Sequence, residues 1–210
     1  MYRNCMKRFV DIVFSIFAFP ALLLVLVIVG PIIYLHDKGP IFYKAPRLGR
    51  GGRVFIMYKF RSMKVNAPDI RNQDGSTFNS PDDPRLTTVG KFLRKTSLDE
   101  LPQLINVLKG DMSLIGPRPD LPEALHMYSD VDRRKLEVRP GITGYNQAFF
   151  RNSIPPKEKF RNDVYYVSNL SFLLDLKIVA ITLIRVFGKK GVFTNEGLSA
   201  KQEVLHNDNR

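Results

Sequence analysis

Cysteine, tryptophan and histidine are nearly missing from this chain of 210 residues, which has one Cys, no Trp and three His. The single cysteine, Cys5, excludes an internal disulfide, so the fold needs no oxidising compartment. So few Cys and His side chains also argue against a structural zinc site. Acids are scarce as well, with 20 Asp and Glu against 32 Lys and Arg, which gives a formal net charge of +12. Such a surplus of positive charge attracts anions, which include nucleic acid, anionic lipid and phosphorylated small molecules.

Charge is absent from one long apolar run, since no Asp, Glu, Lys or Arg occurs from Ile12 to Leu35, about 24 residues and enough to cross a bilayer. Positive charge prefers the cytoplasmic side of a membrane. A kink at Pro20 would let a re-entrant helix keep both of its basic flanks on that side. The alternative is a single-pass anchor with a proline kink. The basic flanks are Arg3, Lys7 and Arg8 before the run, and Lys38, Lys44, Arg47, Arg50 and Arg53 after it.

The rest of the chain predicts an α+β fold that is mainly helical. The segments Ile41–Lys44 and Val54–Lys59, rich in β-branched and aromatic residues, flank a glycine-rich turn and predict a β-hairpin. We expect an irregular loop over 65–88 and amphipathic helices at the surface of the body. The predicted organisation is a re-entrant helix with its basic flank over 1–38, a folded body over 39–195 and a polar tail over 196–210. The predicted helical segments are Lys91–Lys95, Leu101–Leu108, Leu121–Glu137 and Val164–Phe187.

Two adjacent acids, Asp99 and Glu100, stand out in so basic a chain. In one interpretation, Ser97 and Glu100 form a capping box that begins a helix. In the other, Pro102 occupies the first position of the helix, because inside a helix it would delete a hydrogen bond. The acids would then lie just before the helix, where a carboxylate can act as a nucleophile or bind a metal.

Fixed cations provide a candidate anion site. Arg118 lies between Pro117 and Pro119, which restrict its backbone to extended conformations and suit its guanidinium to bidentate phosphate binding. Each cation taken alone is also compatible with a solvated surface charge. Acids beside many cations on a membrane-attached body predict a site for a metal-bound diphosphate. The further candidates for phosphate contact are Lys59, Arg61, Arg85 and Arg94.

Six motifs resemble those of the small monotopic bacterial phosphoglycosyl transferases, including members that act on UDP-N,N′-diacetylbacillosamine. They are KRFVDIV, GPIFYK, YKFRSM, LRKTSLDELPQLINVLKGDMSLIGPRP, RPGITGYNQ and DVYYVSNLSFLLDLKI. The resemblance implies transfer of a sugar 1-phosphate from a UDP-sugar to polyprenyl (undecaprenyl) phosphate, with release of UMP, as the first membrane step of glycoconjugate assembly. It also implies a monotopic catalytic domain on the cytoplasmic face of the bacterial inner membrane, in contact with anionic lipids.

The resemblance assigns roles to individual residues. It implies that Asp99 is the nucleophile, forms a covalent phosphosugar intermediate and contacts Mg²⁺, with Glu100 as its partner. The sequence leaves open whether the protein forms a homodimer. The implied surround of the active site is Lys59, Arg94, Gln103, Arg118 and Asp163.

Two other functions are compatible with parts of the sequence. A non-catalytic, membrane-attached protein could use the positive charge to bind anionic lipid or nucleic acid. Nucleic acid is disfavoured because the basic residues are spread along the chain and no recognised nucleic-acid motif occurs. An inactive scaffold of the same fold is the other alternative, and retention of both acids and Arg118 disfavours it.

Overall fold

The fold is taken from a computed structural model, which describes residues 2–70, 78, 80, 83–150 and 154–187. The predicted tail over 196–210 and the end of the predicted body lie outside the described residues. The α-helices are α1 (Lys7–Asp37), α2 (Thr88–Thr96), α3 (Gln103–Lys109), α4 (Tyr145–Phe149), α5 (Pro156–Ser168) and α6 (Phe172–Phe187). The strands are β1 (Phe42–Leu48), β2 (Val54–Phe60), β3 (Ser113–Ile115) and β4 (Gly141–Thr143). Short 3-10 turns lie at Arg50–Gly52, Leu98–Glu100, Pro122–Met127 and Asp132–Glu137.

The predicted β-hairpin is confirmed. Strands β1 and β2 pair antiparallel, from Phe42 opposite Phe60 to Leu48 opposite Val54. The first strand runs further than predicted because Leu48 is buried and therefore belongs to the packed face. Strands β3 and β4 form a second, parallel pair. The description as mainly helical with a small hairpin is therefore correct.

Helix α1 is one continuous helix of 31 residues that passes through Pro20 and Pro31. Within the described residues it is the one helix long and apolar enough to cross a membrane. One stripe of the helix is buried against the body, and apart from the adjacent Val29 and Gly30 its successive members lie three, four or seven residues apart, as 3.6 residues per turn requires. Its other faces are apolar and exposed, with Phe17 at 80% and Val27 at 71%. The buried stripe is Lys7, Asp11, Ser15, Leu22, Val29, Gly30 and Ile33.

Both ends of α1 are bonded to the same body. At the start, Lys7 Nζ lies 2.5 Å from Asp175 Oδ2 at the beginning of α6. At the end, the Asp37 carboxylate receives two bonds of 2.6 Å from Arg61, directly after β2. A helix of 31 residues is about 46 Å long. The body therefore reaches along the full length of α1.

The main core lies between α1 and the elements that carry the acid pair. Leu22, Val29 and Ile33 of α1 pack with Leu93 of α2 and Leu104 of α3. A separate core joins the C-terminal helices to β3 and includes Tyr166 and Ile178. The packing of the apolar helix therefore fixes α2 and α3 directly.

The single helix predicted over Leu121–Glu137 is wrong, because two 3-10 turns separated at 128–131 replace it. Buried Tyr128 donates a hydrogen bond to Asp120, and Ser129 exchanges hydrogen bonds with Asp132, its hydroxyl accepting from Asp132 N. These local bonds compete with helical ones and begin a new turn at Asp132.

The continuous segment predicted over Val164–Phe187 is also wrong, since α5 ends at Ser168 and α6 begins at Phe172. The Ser171 hydroxyl accepts a hydrogen bond of 3.3 Å from Leu174 N, and so restarts the helix as a cap does. The break allows Asp175 to turn inward toward α1, as its burial shows.

Gly90 provides a test of the packing of α2. A Cβ atom at this position would lie 1.8 Å from the carbonyl oxygen of Ser62, whereas one at Gly30 in α1 would come no closer than 3.4 Å to its neighbours. We expect Gly90→Ala to destabilise the fold by about 3 kcal/mol, because backbone atoms would have to move. Thermal unfolding in detergent measures this. Gly30→Ala is the control, and equal stability of the two variants would contradict the packing described.

Candidate functional site

The acid pair lies in a 3-10 turn between two helices. Ser97, in the left-handed conformation with φ of 59°, ends α2 by donating its N–H to Arg94 O, and its side chain makes no capping bond. Leu98–Glu100 then form the turn, and α3 begins at Gln103 after Pro102. The capping-box interpretation is therefore wrong. The alternative is confirmed for the acids, since Asp99 and Glu100 lie just before α3, whereas Pro102 precedes the first helical residue instead of occupying that position.

The β-hairpin brings a lysine to the acid pair. Lys59 is the penultimate residue of β2, and its Nζ lies 2.6 Å from Glu100 Oε1. The buried Asn106 of α3 holds the two elements in register, because its amide accepts from Tyr58 N and donates to Ile56 O. The sequence patterns did not single out Asn106, although a polar side chain within the apolar segment of α3 indicates such a buried contact.

Arg118 reaches Glu100 from the opposite direction. Its Nη2 lies 3.2 Å from Glu100 Oε1, the same oxygen that Lys59 contacts, and its side chain remains 53% exposed. Burial would raise the pKa of Glu100, but Lys59 and Arg118 outweigh it and lower this pKa to about 2. Glu100 is therefore a permanently charged group with one oxygen shared by two cations.

Asp99 has the opposite environment. It is buried, at 8% exposure, and within the described residues its carboxylate accepts no hydrogen bond. Burial, together with the neighbouring charge of Glu100, raises the pKa of Asp99 to about 6, against the attraction of Lys59 and Arg94. At neutral pH, Asp99 is thus an ionised carboxylate whose lone pairs are not engaged, as a nucleophile requires.

Two more predicted residues have unused donors at or next to the acid pair. Arg94 donates its Nε–H to Ser62 Oγ at 3.0 Å, and its two terminal nitrogens have no partner in the part of the chain that the structure describes. Burial lowers the pKa of Arg94, while the charge of Asp99 acts to raise it. Gln103 is buried, and its amide nitrogen lacks a partner among the described residues. The terminal nitrogens of Arg94 can therefore donate to an anionic ligand, whereas the amide nitrogen of Gln103 is enclosed by protein.

Arg61 is committed to another task. All five of its N–H donors are used: the Asp37 carboxylate takes two, and the carbonyl oxygens of Ile33, Pro40 and Met63 take the others. Arg61 is 7% exposed and closes the end of α1 onto the body. Its predicted contact with substrate stays a prediction, and the contacts it makes are structural.

Arg85 is likewise engaged within its own loop. Its guanidinium bonds both oxygens of Asp83, at 2.7 Å for the shortest contact, and donates to the carbonyl oxygens of Pro68 and Phe78. The structure therefore does not bring Arg85 into contact with the acid pair.

Asp163 lies in a separate buried network. Its carboxylate is 2.7 Å from Lys135 Nζ and accepts a hydrogen bond of 2.8 Å from Asn146. The structure thus gathers Lys59, Arg94, Gln103 and Arg118 around or beside the acids, and places Arg61, Arg85 and Asp163 elsewhere.

Comparison with known proteins gives consistent matches along the chain. The family described as bacterial sugar transferases matches residues 2–189. The uncharacterized sugar transferase EpsL of Bacillus subtilis is 41% identical over 197 residues, which cover 94% of this chain and 95% of EpsL. The undecaprenyl-phosphate galactose phosphotransferase of Salmonella typhimurium is 40% identical over 205 residues, 90% of this chain but 42% of that protein.

A third relative is named for a different sugar. The UDP-N-acetylgalactosamine-undecaprenyl-phosphate N-acetylgalactosaminephosphotransferase of Aeromonas hydrophila is 39% identical over 189 residues, 84% of this chain and 42% of that protein. The chain therefore spans nearly all of EpsL and about two-fifths of the length of the two relatives whose names state a sugar.

The raised pKa of Asp99 predicts that this residue destabilises the fold at neutral pH. Because its folded pKa is about 6, above the ordinary 3.8, its ionisation lowers the free energy of unfolding as pH rises from about 4 to about 6. We expect Asp99→Asn to be more stable than the parent at pH 7.5 by about 1–3 kcal/mol, with no difference near pH 4. Thermal unfolding over pH 4–8 measures this.

The matched control is Asp130→Asn, at an exposed position. We expect little change in its stability at any pH. A destabilised Asp99→Asn variant at pH 7.5, or a gain independent of pH, would contradict the environment assigned to Asp99.

Proposed function

Because the chain belongs to the bacterial sugar transferase family, we propose that it transfers a sugar 1-phosphate from a UDP-sugar to undecaprenyl phosphate, releasing UMP. The observation that carries this proposal is the unequal acid pair. Glu100 is held by two cations, whereas Asp99 is buried and accepts no hydrogen bond among the described residues. The resulting diphosphate-linked sugar would be the first lipid-bound product of glycoconjugate assembly, since its hydroxyl groups can accept further sugars.

In the first step, an Asp99 oxygen attacks the β-phosphorus of the UDP-sugar. A bond forms between that oxygen and phosphorus, the bond to the bridging oxygen breaks, and UMP leaves with the electron pair. The enzyme then carries the sugar phosphate as an aspartyl phosphodiester. In the second step, an oxygen of undecaprenyl phosphate attacks the same phosphorus and displaces the Asp99 carboxylate. One site can therefore accept the soluble donor and the lipid in turn.

The surrounding cations make this attack feasible. A carboxylate is repelled by a diphosphate, so positive charge near the reacting phosphorus lowers the barrier. The free donors of Arg94 and the half-exposed guanidinium of Arg118 can bind phosphate oxygens. Glu100 holds Lys59 and Arg118 together and is suited to orient the lipid phosphate as it enters.

The acid pair also fits the proposed Mg²⁺. Among the described residues, no group of three or more His, Cys, Asp or Glu side chains is arranged to hold a metal ion. Mg²⁺ commonly uses one or two carboxylates and takes its other ligands from substrate phosphates and water. The Asp99 carboxylate, with its unengaged oxygens, is the residue that fits this role. When bound, Mg²⁺ would neutralise charge on the diphosphate.

We propose that α1 is re-entrant and that the protein lies on the cytoplasmic face of the inner membrane. The exposed apolar faces of α1 require a lipid environment. The bonds of Lys7 and Asp37 to one body support a topology in which both ends of α1 lie on the same side. The basic flanks then face cytoplasmic anionic lipids.

The reaction predicts UMP release that depends on Asp99. With undecaprenyl phosphate and Mg²⁺, we expect UMP from at least one of UDP-galactose, UDP-glucose, UDP-N-acetylgalactosamine and UDP-N,N′-diacetylbacillosamine. Asp99→Asn should lower the rate by at least about a thousandfold, because it removes the nucleophile. Lys59→Ala should lower it by about 10²–10³-fold through lost charge stabilisation.

The exposed Lys64 supplies the control for charge alone, and Lys64→Ala should retain the parental rate. A loss of less than tenfold in Asp99→Asn would count against the nucleophile. Salt-sensitive lipid binding without UMP release from any donor would favour the non-catalytic alternative.

The topology is tested by cysteine labelling with a membrane-impermeant maleimide. Native Cys5 is exposed and reports the N-terminal flank, while Lys44→Cys in a Cys5→Ser background reports the C-terminal flank. We expect both to react in inside-out vesicles and neither in intact spheroplasts, because both flanks face the cytoplasm. Phe17→Cys in the same Cys5→Ser background, at the most exposed of the large apolar side chains of α1, should react in neither. Labelling of one flank from outside would establish a spanning anchor.

A further inference from the structure

A network of charges centred on the buried Lys135 adjoins the segment that carries Arg118. Lys135 Nζ is 2.6 Å from Asp120 Oδ2 and 2.7 Å from Asp163 Oδ2, and the Lys135 side chain is only 4% exposed. Tyr128 donates a second hydrogen bond, of 2.5 Å, to the same Asp120 oxygen. Asn146 donates to the other oxygen of Asp163 at 2.8 Å. Each of the three charged groups in this network therefore has a specific partner.

Such a network is costly to build. Burial alone would lower the pKa of Lys135, but Asp163 and Asp120 raise it above its ordinary value, so the ammonium stays charged. Two rings enclose it, with the centroids of Phe160 and Tyr128 at 5.2 and 5.7 Å from Nζ. Buried ion pairs rarely add net stability compared with apolar packing, and their best-attested use is to fix one conformation.

The network ends on the segment that carries Arg118. Asp120 follows Arg118 by two residues, and its backbone oxygen accepts a hydrogen bond of 2.9 Å from Leu48 N of β1. On the other side of Arg118, Pro117 O accepts a hydrogen bond of 2.9 Å from Gly141 N. The segment 117–120 is thus held at both ends, and Lys135 secures the end nearer the hairpin through the Asp120 side chain.

Arg118 needs this support because its own contact with Glu100 is long and its side chain is half exposed. A guanidinium that binds phosphate oxygens must be aimed within a few tenths of an ångström of its productive position. We propose that Lys135, held by Asp163, is a positioning residue that fixes Asp120 and thereby aims Arg118 at the transferring phosphate. This inference rests on the proposed function and gives Asp163 a role that needs no contact with substrate.

A double-mutant cycle separates positioning from general structural support. Asp120→Ala cuts the network at its end while leaving Lys135 paired with Asp163. Its effect on kcat/KM is measured in the parent and in Arg118→Lys, using a radiolabelled UDP-sugar that the parent converts, so that low rates can be measured. If the network acts through Arg118, its loss matters only while the arginine is present.

We expect Asp120→Ala to lower kcat/KM about tenfold in the parent and less than twofold in Arg118→Lys. A ratio of the two effects below fivefold, or no effect in the parent, would overturn the inference. Glu123→Ala, an exposed carboxylate on the neighbouring turn, is the control and should leave both backgrounds unchanged. Asp163→Asn, which keeps an acceptor for Lys135, should reproduce the pattern with a smaller effect if Asp120→Ala does not fold.

Failure of the proposed function gives a different result. If the parent released no UMP from any donor, the function and this inference would fall together. A parent that releases UMP and needs Asp99, but shows equal effects of Asp120→Ala in both backgrounds, would leave the function standing and reject the positioning role.

Discussion

The site depends on one asymmetry, which is that two adjacent carboxylates share a cluster of cations unequally. Lys59 and Arg118 both bond a single oxygen of Glu100, while Asp99 is buried without a hydrogen bond from the described residues. Equal sharing would leave two weakly basic, occupied carboxylates. Unequal sharing produces a fixed charge that organises the cations and a neighbouring group that is free to react. The proposed reaction follows from this division of roles.

The end of β2 links the acid pair to α1, the proposed membrane helix. Lys59 is the penultimate residue of β2 and lies two residues before Arg61, whose five donors hold the end of α1 to the body. The arginine that holds α1 and the lysine that binds Glu100 thus lie two residues apart, at the end of β2. In the proposed topology, a lipid phosphate at the bilayer surface meets the acid pair without leaving the membrane. Arg61 therefore supports the site by fixing α1 beside it, although all five of its donors are already used.

Sequence patterns predicted what depends on local chemistry. Strand propensity predicts the hairpin. A glycine in the left-handed conformation, Gly110, ends α3 after Lys109. Pro102 sets the position of the acids before that helix. Long-range pairing was not predictable in the same way. Arg61 and Arg85 carry the positive charge needed to bind phosphate. Which carboxylate each of them pairs with depends on the tertiary fold. Lys135 resembled a surface lysine in sequence, and only its burial between Asp120 and Asp163 distinguishes it.

The most direct test of the unequal pair is to determine whether Asp99 or Glu100 becomes linked to the sugar phosphate in the proposed reaction. The enzyme is incubated with its UDP-sugar in the absence of lipid, quenched in acid, and digested with trypsin. The peptide over 96–109, which contains both acids and lies between two lysine cleavage sites, is then sequenced by mass spectrometry. We expect a sugar-phosphate adduct on Asp99 that disappears when undecaprenyl phosphate is added. An adduct on Glu100, or an active enzyme that never carries one, would contradict it.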